Sequence, residues 1–264
     1  MISQLIETAR KIVIKIGSNT LADSKGRINV SFMEEFALQA AALIRKGKQI
    51  ALVSSGAQVA GLSAMDKWER KKDLHYRQAL CAVGQVELMA AWSRAFAAQG
   101  IHTGQILLTR DDFGDSLRTL NMRNTLFTLV DEGIVPIINE NDTVCVEEIK
   151  IGDNDTLAAQ SAVLWSADLL ILFSDIDGLY DKNPKEYPDA RLVREVRNLA
   201  TIKEHISIGN ANDFGTGGIA TKIEAARLVL AYGIPMILAH GGRPGALEAL
   251  AGGTQEATAF IPET

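Results

Sequence analysis

The run Thr216-Gly217-Gly218-Ile219-Ala220-Thr221-Lys222 sets glycines, hydroxyls and a lysine just ahead of a strongly helical stretch, Ile223 to Tyr232. Backbone N–H groups at a helix start have no intrahelical partner and carry partial positive charge. Glycines there let a phosphate approach the backbone, and a lysine adds a full charge. The order is wrong for a Walker A loop, so a nucleotide phosphate would be held by another device. A Gly-Gly pair before a helix is also plain turn chemistry. Lys15 is the second item, near the end of an Ile/Val run and followed by Gly17-Ser18. Lysine is almost never buried without a partner. Either this strand is an edge and Lys15 faces water, or Lys15 serves a site beside a flat glycine turn that admits a phosphate chain.

Further polar groups follow other apolar runs. They include Ser54-Ser55-Gly56, Asn139-Glu140-Asn141-Asp142, Gly152-Asp153-Asn154-Asp155, Ser174-Asp175 and His240-Gly241-Gly242. In open parallel sheets, ligands bind outside the carboxyl ends of the strands, where such groups would gather. Asp155 is the natural ionic partner for the lysines and equally a helix N-cap, and the two roles are compatible. Asn154 and Asp142 could satisfy a polar ligand, although their clusters are also ordinary turn composition. Two lysines, glycine turns and one organising carboxylate suit phosphoryl transfer, which needs placed charge more than covalent chemistry. Mg²⁺ would arrive with the nucleotide, and a carboxylate acceptor, already ionised near neutral pH, would need no general base.

A repeated pattern positions these groups: a helical stretch ends in glycine and a short, fully apolar run follows. Gly47, Gly100, Gly133 and Gly233 precede Ile50–Val53, Gln105–Leu108, Ile134–Ile138 and Ile234–Leu238, and Ile12–Ile16 and Leu169–Phe173 have the same character. Glycine past a helix end is a left-handed cap. Apolar runs without alternation are strands buried on both faces, and their alternation with helices implies a parallel sheet between helix layers. Expected helices run from a Ser31/Glu34 capping box to about Lys46, over Gln78–Gln99 and Asn121–Glu132, from Asp155 or Thr156 to Ser166, and over Gly245–Ala251. Thr143–Ile151 alternates like a hairpin or surface arm. The expected organisation is one compact domain, 1–264, with lobes 1–166 and 167–264.

The 264 residues are 47% hydrophobic with a net charge of -5. That balance gives no reason to expect nucleic acid or an anionic membrane as partner. Cys81 and Cys145 sit in unrelated contexts and suggest neither disulfide nor zinc site. No apolar run approaches the roughly 18 residues of a membrane span and no export signal is visible, so a cytoplasmic protein is expected. The four histidines have no ligand spacing, which argues against a protein-held metal. The G-x-S-x-G elbow and the dinucleotide fingerprint G-x-G-x-x-G are both missing from the sequence.

Taken together, these segments, with Ala82-Val83-Gly84-Gln85, Leu107-Leu108-Thr109-Arg110, Asn121-Met122-Arg123-Asn124-Thr125 and Gly178-Leu179-Tyr180, resemble the glutamate 5-kinases of the amino acid kinase superfamily nearly end to end. The resemblance implies a three-layer αβα sandwich with a mainly parallel central sheet. It implies ATP-dependent phosphorylation of the side-chain carboxylate of L-glutamate with Mg²⁺, the first step toward proline, in a homo-oligomer inhibited by proline. By similarity, Lys15 and Lys222 neutralise the transferring phosphoryl group and Asp155 holds both lysines. Ser55, Asp142 and Asn154 bind glutamate, with Asp142 suited to its ammonium, which argues against an acetylated acceptor. Lys15, Ser174, Asp175, Thr216, Gly217, Gly218, Ile219, Ala220, Thr221 and Lys222 line the nucleotide site. Ser174 stands where Thr is usual, Ile219 where Met is usual and Asn19 where a small hydroxyl is usual; none of these removes a charge. Many relatives continue into an RNA-binding-like domain beyond the position of Thr264, which leaves the expected oligomer and its regulation open.

Overall fold

The computed structural model describes residues 1–65, 73–145, 154–184, 186–199 and 218–263. In chain order the first half comprises α1 (Ile2–Thr8), β1 (Lys11–Ile16), α2 (Ser18–Leu21), α3 (Val30–Arg45), β2 (Gln49–Ser54), α4 (Ala57–Met65), α5 (Leu74–Ala97), β3 (Thr103–Leu108), α6 (Ser116–Asp131) and β4 (Val135–Glu140). The second half comprises α7 (Asp155–Trp165), β5 (Leu169–Ser174), β6 (Leu179–Tyr180), β7 (Leu192–Val193), β8 (Glu195–Val196), α8 (Ile219–Leu230), β9 (Met236–His240), α9 (Ala246–Ala251) and β10 (Ala257–Phe260). Eight strands form one sheet in the order β3-β4-β2-β1-β5-β9-β10-β8, while β6 and β7 pair separately. Within the large sheet only the β9–β10 pairing is antiparallel.

Strand alternation divides the core into two layers. Ile12, Ile14 and Ile16 of β1 join a cluster with Met33 and Phe36 of α3, Trp92 and Phe96 of α5 and Leu247 of α9. Val13 faces the other way, toward Leu126 of α6, Ala158 and Ala162 of α7, and Ala225 and Val229 of α8. The result is the expected αβα sandwich. Burial runs without alternation along β1, β2 and β5 because both faces are covered, whereas β3, at the margin, is half-exposed.

All six expected strands form, and β8 and β10 are additions to the sheet: Ala-Thr-Ala-Phe is too short and mixed to announce a strand, and pairing with β9 and β8 makes it one. The helix starts need correction. Asn29, not Ser31, caps α3, accepting from the Phe32 N–H at 3.1 Å. α5 begins at Leu74 behind Asp73 and α6 at Ser116 behind Asp115, each earlier than the apolar periodicity announces. In each case a side-chain acceptor satisfies first-turn N–H groups, a signal carried by one residue rather than by a pattern. Beyond Cys145, the arm expected over Thr143–Ile151 lies outside the described residues.

Candidate active site

Strand β1 lies between β2 and β5, with Lys15 opposite Val53 and Leu172. That removes the edge reading of Lys15, which is only 5% exposed. Because side chains alternate, Lys15 shares the face of Val13 and points to the layer of α7 and α8. Helices that connect parallel strands run back against them, so both helices begin at the carboxyl edge of the sheet. Asp155 is the first residue of α7 and Lys222 lies in the first turn of α8. Lys15 Nζ meets Asp155 Oδ1 at 2.6 Å and Lys222 Nζ meets Asp155 Oδ2 at 3.0 Å. The single hydrogen of the Thr221 hydroxyl is shared between the Gly218 carbonyl at 2.8 Å and the same Oδ2 at 3.2 Å. All three charged groups are buried. A carboxylate at a helix N-terminus is favoured by the dipole, and here it holds two ammonium groups, one on each oxygen.

A neutral cluster adjoins this ionic one. Asn154 is the N-cap of α7, yet its side chain makes no capping bond. Its amide nitrogen donates instead to Ser55 Oγ at 3.0 Å and to Asn139 Oδ1 at 2.7 Å. Asn139, at the end of β4, donates in turn to Gln85 Oε1 on α5 at 2.8 Å. Gln85 reaches this position because α4 and α5 cross at backbone contact. A Cβ at Gly84 would lie 1.8 Å from the Ala57 carbonyl oxygen, and one at Gly61 would lie 2.0 Å from that of Leu80. On the opposite side of β2, Ser54 Oγ accepts from the Trp92 indole at 2.8 Å, which pins the strand end from beneath.

Asp142, just past β4, is buried. Burial, then the neighbouring Glu140 charge, push its carboxyl up to about 7, against smaller opposing effects of Cys81 and Arg77. Asp175 behaves oppositely. Burial pushes it up, but bonds from its own backbone, Ser174 and Asn19, with the Lys222 charge, outweigh that and hold it below the usual carboxylate value. Asn19 reaches Asp175 Oδ2 at 3.4 Å and Ser174 Oγ reaches Oδ1 at 3.1 Å.

The structure thus brings Lys15, Asp155, Lys222 and Thr221 into one cluster, with Asn154 and Ser55 adjoining through the start of α7. Asp142 follows β4, Ser174 and Asp175 close β5, and Gly218, Ile219 and Ala220 lead α8. Thr216 and Gly217 lie outside the described residues, as do Gly152 and Asp153. A reading by strand ends includes Asn139 in a cluster without giving it a partner, and it passes over Gln85 and Asn19. Gln85 does leave a trace: with Cys81, Leu88 and Trp92 it falls on one helical stripe, an amide among core residues.

The donor set fits a nucleotide phosphate chain. Two buried lysines meet at the carboxyl edge, the adjoining helix start has Gly218 as a cap without a side chain, and Gly17 leaves open the space beside Lys15 Nζ, where a Cβ would stand 3.5 Å away. Asp155 is held by lysines and Asp175 by Ser174 and Asn19, so Mg²⁺ fits here as an ion carried by phosphates and water rather than by a protein cage.

Residues 10–240 match the model of the amino acid kinase family. A glutamate 5-kinase of Alkaliphilus metalliredigens is 61% identical over 98% of this chain and 98% of its own length. A glutamate 5-kinase of Alkaliphilus oremlandii is 59% identical over the whole of both chains. Among solved structures, carbamate kinase from Giardia lamblia bound to AMP-PNP superposes with a TM-score of 0.67 over 97% of this chain and 99% of its own, at 14% identity, which speaks to the fold. With the shared sandwich and the whole-length likeness, this chain belongs to the amino acid kinase family.

Proposed function

We infer that this protein transfers the γ-phosphoryl group of ATP to the side-chain carboxylate of L-glutamate, giving γ-glutamyl phosphate, the first step toward proline. The observation that carries the reading is the convergence of Lys15 and Lys222, from β1 and α8, on the single buried carboxylate of Asp155. A glutamate carboxylate oxygen forms a bond to the γ-phosphorus as the bond to the β–γ bridging oxygen breaks, and the electron pair leaves on ADP. No proton has to move, because the acceptor is ionised at neutral pH. The work left to the protein is to place charge and to orient the acceptor.

In this reading Lys15 and Lys222 bear on the oxygens of the migrating group and Asp155 holds their spacing. Ser55, Asn154 and Asp142 hold glutamate, with Asp142 opposite its ammonium. Ser174, Asp175 and the segment Thr216 to Lys222 hold the nucleotide, so that lobes 1–166 and 167–264 serve the two substrates. Mg²⁺, bound with ATP, supplies charge neutralisation on the phosphate oxygens. Two unbridged thiols, Cys81 and Cys145, support a cytoplasmic setting. The exposed stripe Ala82, Val83 and Val86 on α5 supports a homo-oligomer, and proline, an amino acid like glutamate, is the proposed feedback inhibitor.

The test is ADP release by purified protein with Mg-ATP and either glutamate or N-acetylglutamate. Glutamate-dependent turnover with little use of the acetylated acceptor is expected. No glutamate-dependent release, or a preference for the acetylated compound, overturns the assignment.

A further inference from the structure

Arg77 lies in the first turn of α5 and is half-buried. Its Nε donates to Gln58 Oε1 at 3.0 Å, and Gln58 lies in the first turn of α4, just past Ser55 and Gly56. The neighbouring Gln78 donates to the backbone carbonyl of Asp142 at 3.3 Å. One turn further along α5, Cys81 bonds the Asp142 carboxylate. The start of α5 thus sets Arg77 beside both segments that supply the amino-acid site, the one after β2 and the one after β4.

The bond to Gln58 has a single polarity. Arginine Nε can only donate, so Gln58 must turn its oxygen toward it. That bond orients the guanidinium plane, and the two Nη groups have no hydrogen bond or ion pair among the described residues. The Arg77 charge is near enough to act on the Asp142 carboxyl, yet no ion pair joins the two among the described residues. Opposite charges held within each other's field without closing on each other leave two poles for a ligand. An α-amino acid carries the matching pair, an ammonium and a carboxylate on one carbon. The guanidinium fork suits the carboxylate, which takes two parallel N–H donors. Being half-buried, Arg77 also escapes the full desolvation cost of an enclosed cation.

We propose that Arg77, oriented by Gln58, binds the α-carboxylate of the amino-acid substrate and so selects a free α-amino acid as acceptor. The inference rests on the reading of Ser55 and Asp142 as the amino-acid subsite and deepens it. The substrate ammonium goes to Asp142, the α-carboxylate to the Nη groups of Arg77, and the side-chain carboxylate is left for the phosphoryl group at Lys15 and Lys222.

The experiment compares glutamate with isoglutamine, in which the α-carboxylate is an amide and the side-chain carboxylate is kept. Wild type, Arg77→Met and Gln58→Leu are assayed for ADP release at saturating Mg-ATP, with thermal melts alongside. Binding of isoglutamine is taken from its KM, or from its competition against glutamate where it is not phosphorylated. Wild type is expected to bind isoglutamine about thirtyfold more weakly than glutamate, the size of a lost charge-assisted contact. Arg77→Met is expected to raise KM for glutamate about thirtyfold and to leave isoglutamine, kcat and KM for ATP within about threefold, so that the discrimination disappears. Gln58→Leu keeps the guanidinium but loosens it, and about fivefold of the discrimination should go. A wild type that binds both compounds equally overturns the proposal, as does an Arg77→Met enzyme that weakens both alike. Wild-type discrimination in Gln58→Leu overturns the orienting role. If Arg77→Met does not fold, the wild-type comparison and Gln58→Leu decide. A wild type that phosphorylates no glutamate removes the underlying functional reading instead, and the first assay tells the two failures apart.

Discussion

Two clusters share the carboxyl edge of one sheet and are built from opposite materials. On the side of α7 and α8, two ammonium groups and a carboxylate form a buried ionic unit. On the side of β2, β4 and α5, three neutral amides and Ser55 form a hydrogen-bonded unit. They meet at consecutive residues, Asn154 and Asp155. Under the proposed function, the contrast follows from what each side would handle. A migrating phosphoryl group spreads negative charge over its oxygens, and fixed cations in a dry site stabilise that charge at no reorganisation cost. An amino acid must be told apart from its analogues, and buried amides do this by penalising any ligand that leaves them unpaired. Burying charge to do the second task would add a large desolvation cost without adding directional selectivity.

The strongest way to break this comparison is to remove a charge from the ionic side. Lys222→Ala is expected to lower kcat by about 10²–10³ with the fold retained by circular dichroism and with KM for glutamate little changed. A rate equal to wild type would remove Lys222 from the mechanism. An intermediate effect is expected where a charge lies on the amino-acid side. With Asp142 raised to about 7, its ionised form is lost as pH falls below that value. KM for glutamate should then rise about tenfold per pH unit below 7, and Asp142→Asn should flatten that dependence while raising KM at pH 8. The sign for stability is the reverse. A carboxyl raised in the folded protein stabilises it at low pH, so the ligand-free protein should lose this contribution as pH climbs from 3.8 to about 7, seen as a falling melting temperature. A KM for glutamate that is flat from pH 6 to 8 would break the pairing of Asp142 with an ammonium. The smallest effect sharpens the boundary between the clusters. Thr221→Val removes a hydroxyl shared between Asp155 Oδ2 and the Gly218 carbonyl and leaves both lysines, so a loss of at most about fivefold in kcat is expected, the value of about 1 kcal/mol for one full hydrogen bond.

How far the sequence could be read differed between these same clusters. Lys15, Asp155 and Lys222 stood out because a charge among apolar residues or at a glycine turn is costly enough to need a reason, and that cost is visible in one dimension. The glycine-then-apolar pattern announced four strands and two further apolar runs announced two more, because αL caps and doubly buried strands are local properties. Asn139 stood in a strand-end cluster without a role of its own, and Gln85 did not stand out by its chemistry, since amides are common in turns and tolerable in helices. Asn29, Asp73 and Asp115 did not either, because a cap is a single side chain whose role depends on where the chain bends. β10 became a strand through its neighbours, and Gly84 declares its purpose only when the carbonyl of Ala57 lies against it.

From its residues alone this chain determined that it alternates strands and helices, where its strands end, and which charges must find company, because periodicity, capping and the cost of burial act over a few residues. The order β3-β4-β2-β1-β5-β9-β10-β8 was decided by tertiary structure, and with it the central place of β1 that turns Lys15 inward. So was the meeting of Asp155 with a lysine 140 positions before it and another 67 after it, and so was the meeting of the Gln85, Asn139 and Asn154 amides. Those outcomes depend on strands and helices packing across long sequence separations, where geometry, not local preference, selects the partner.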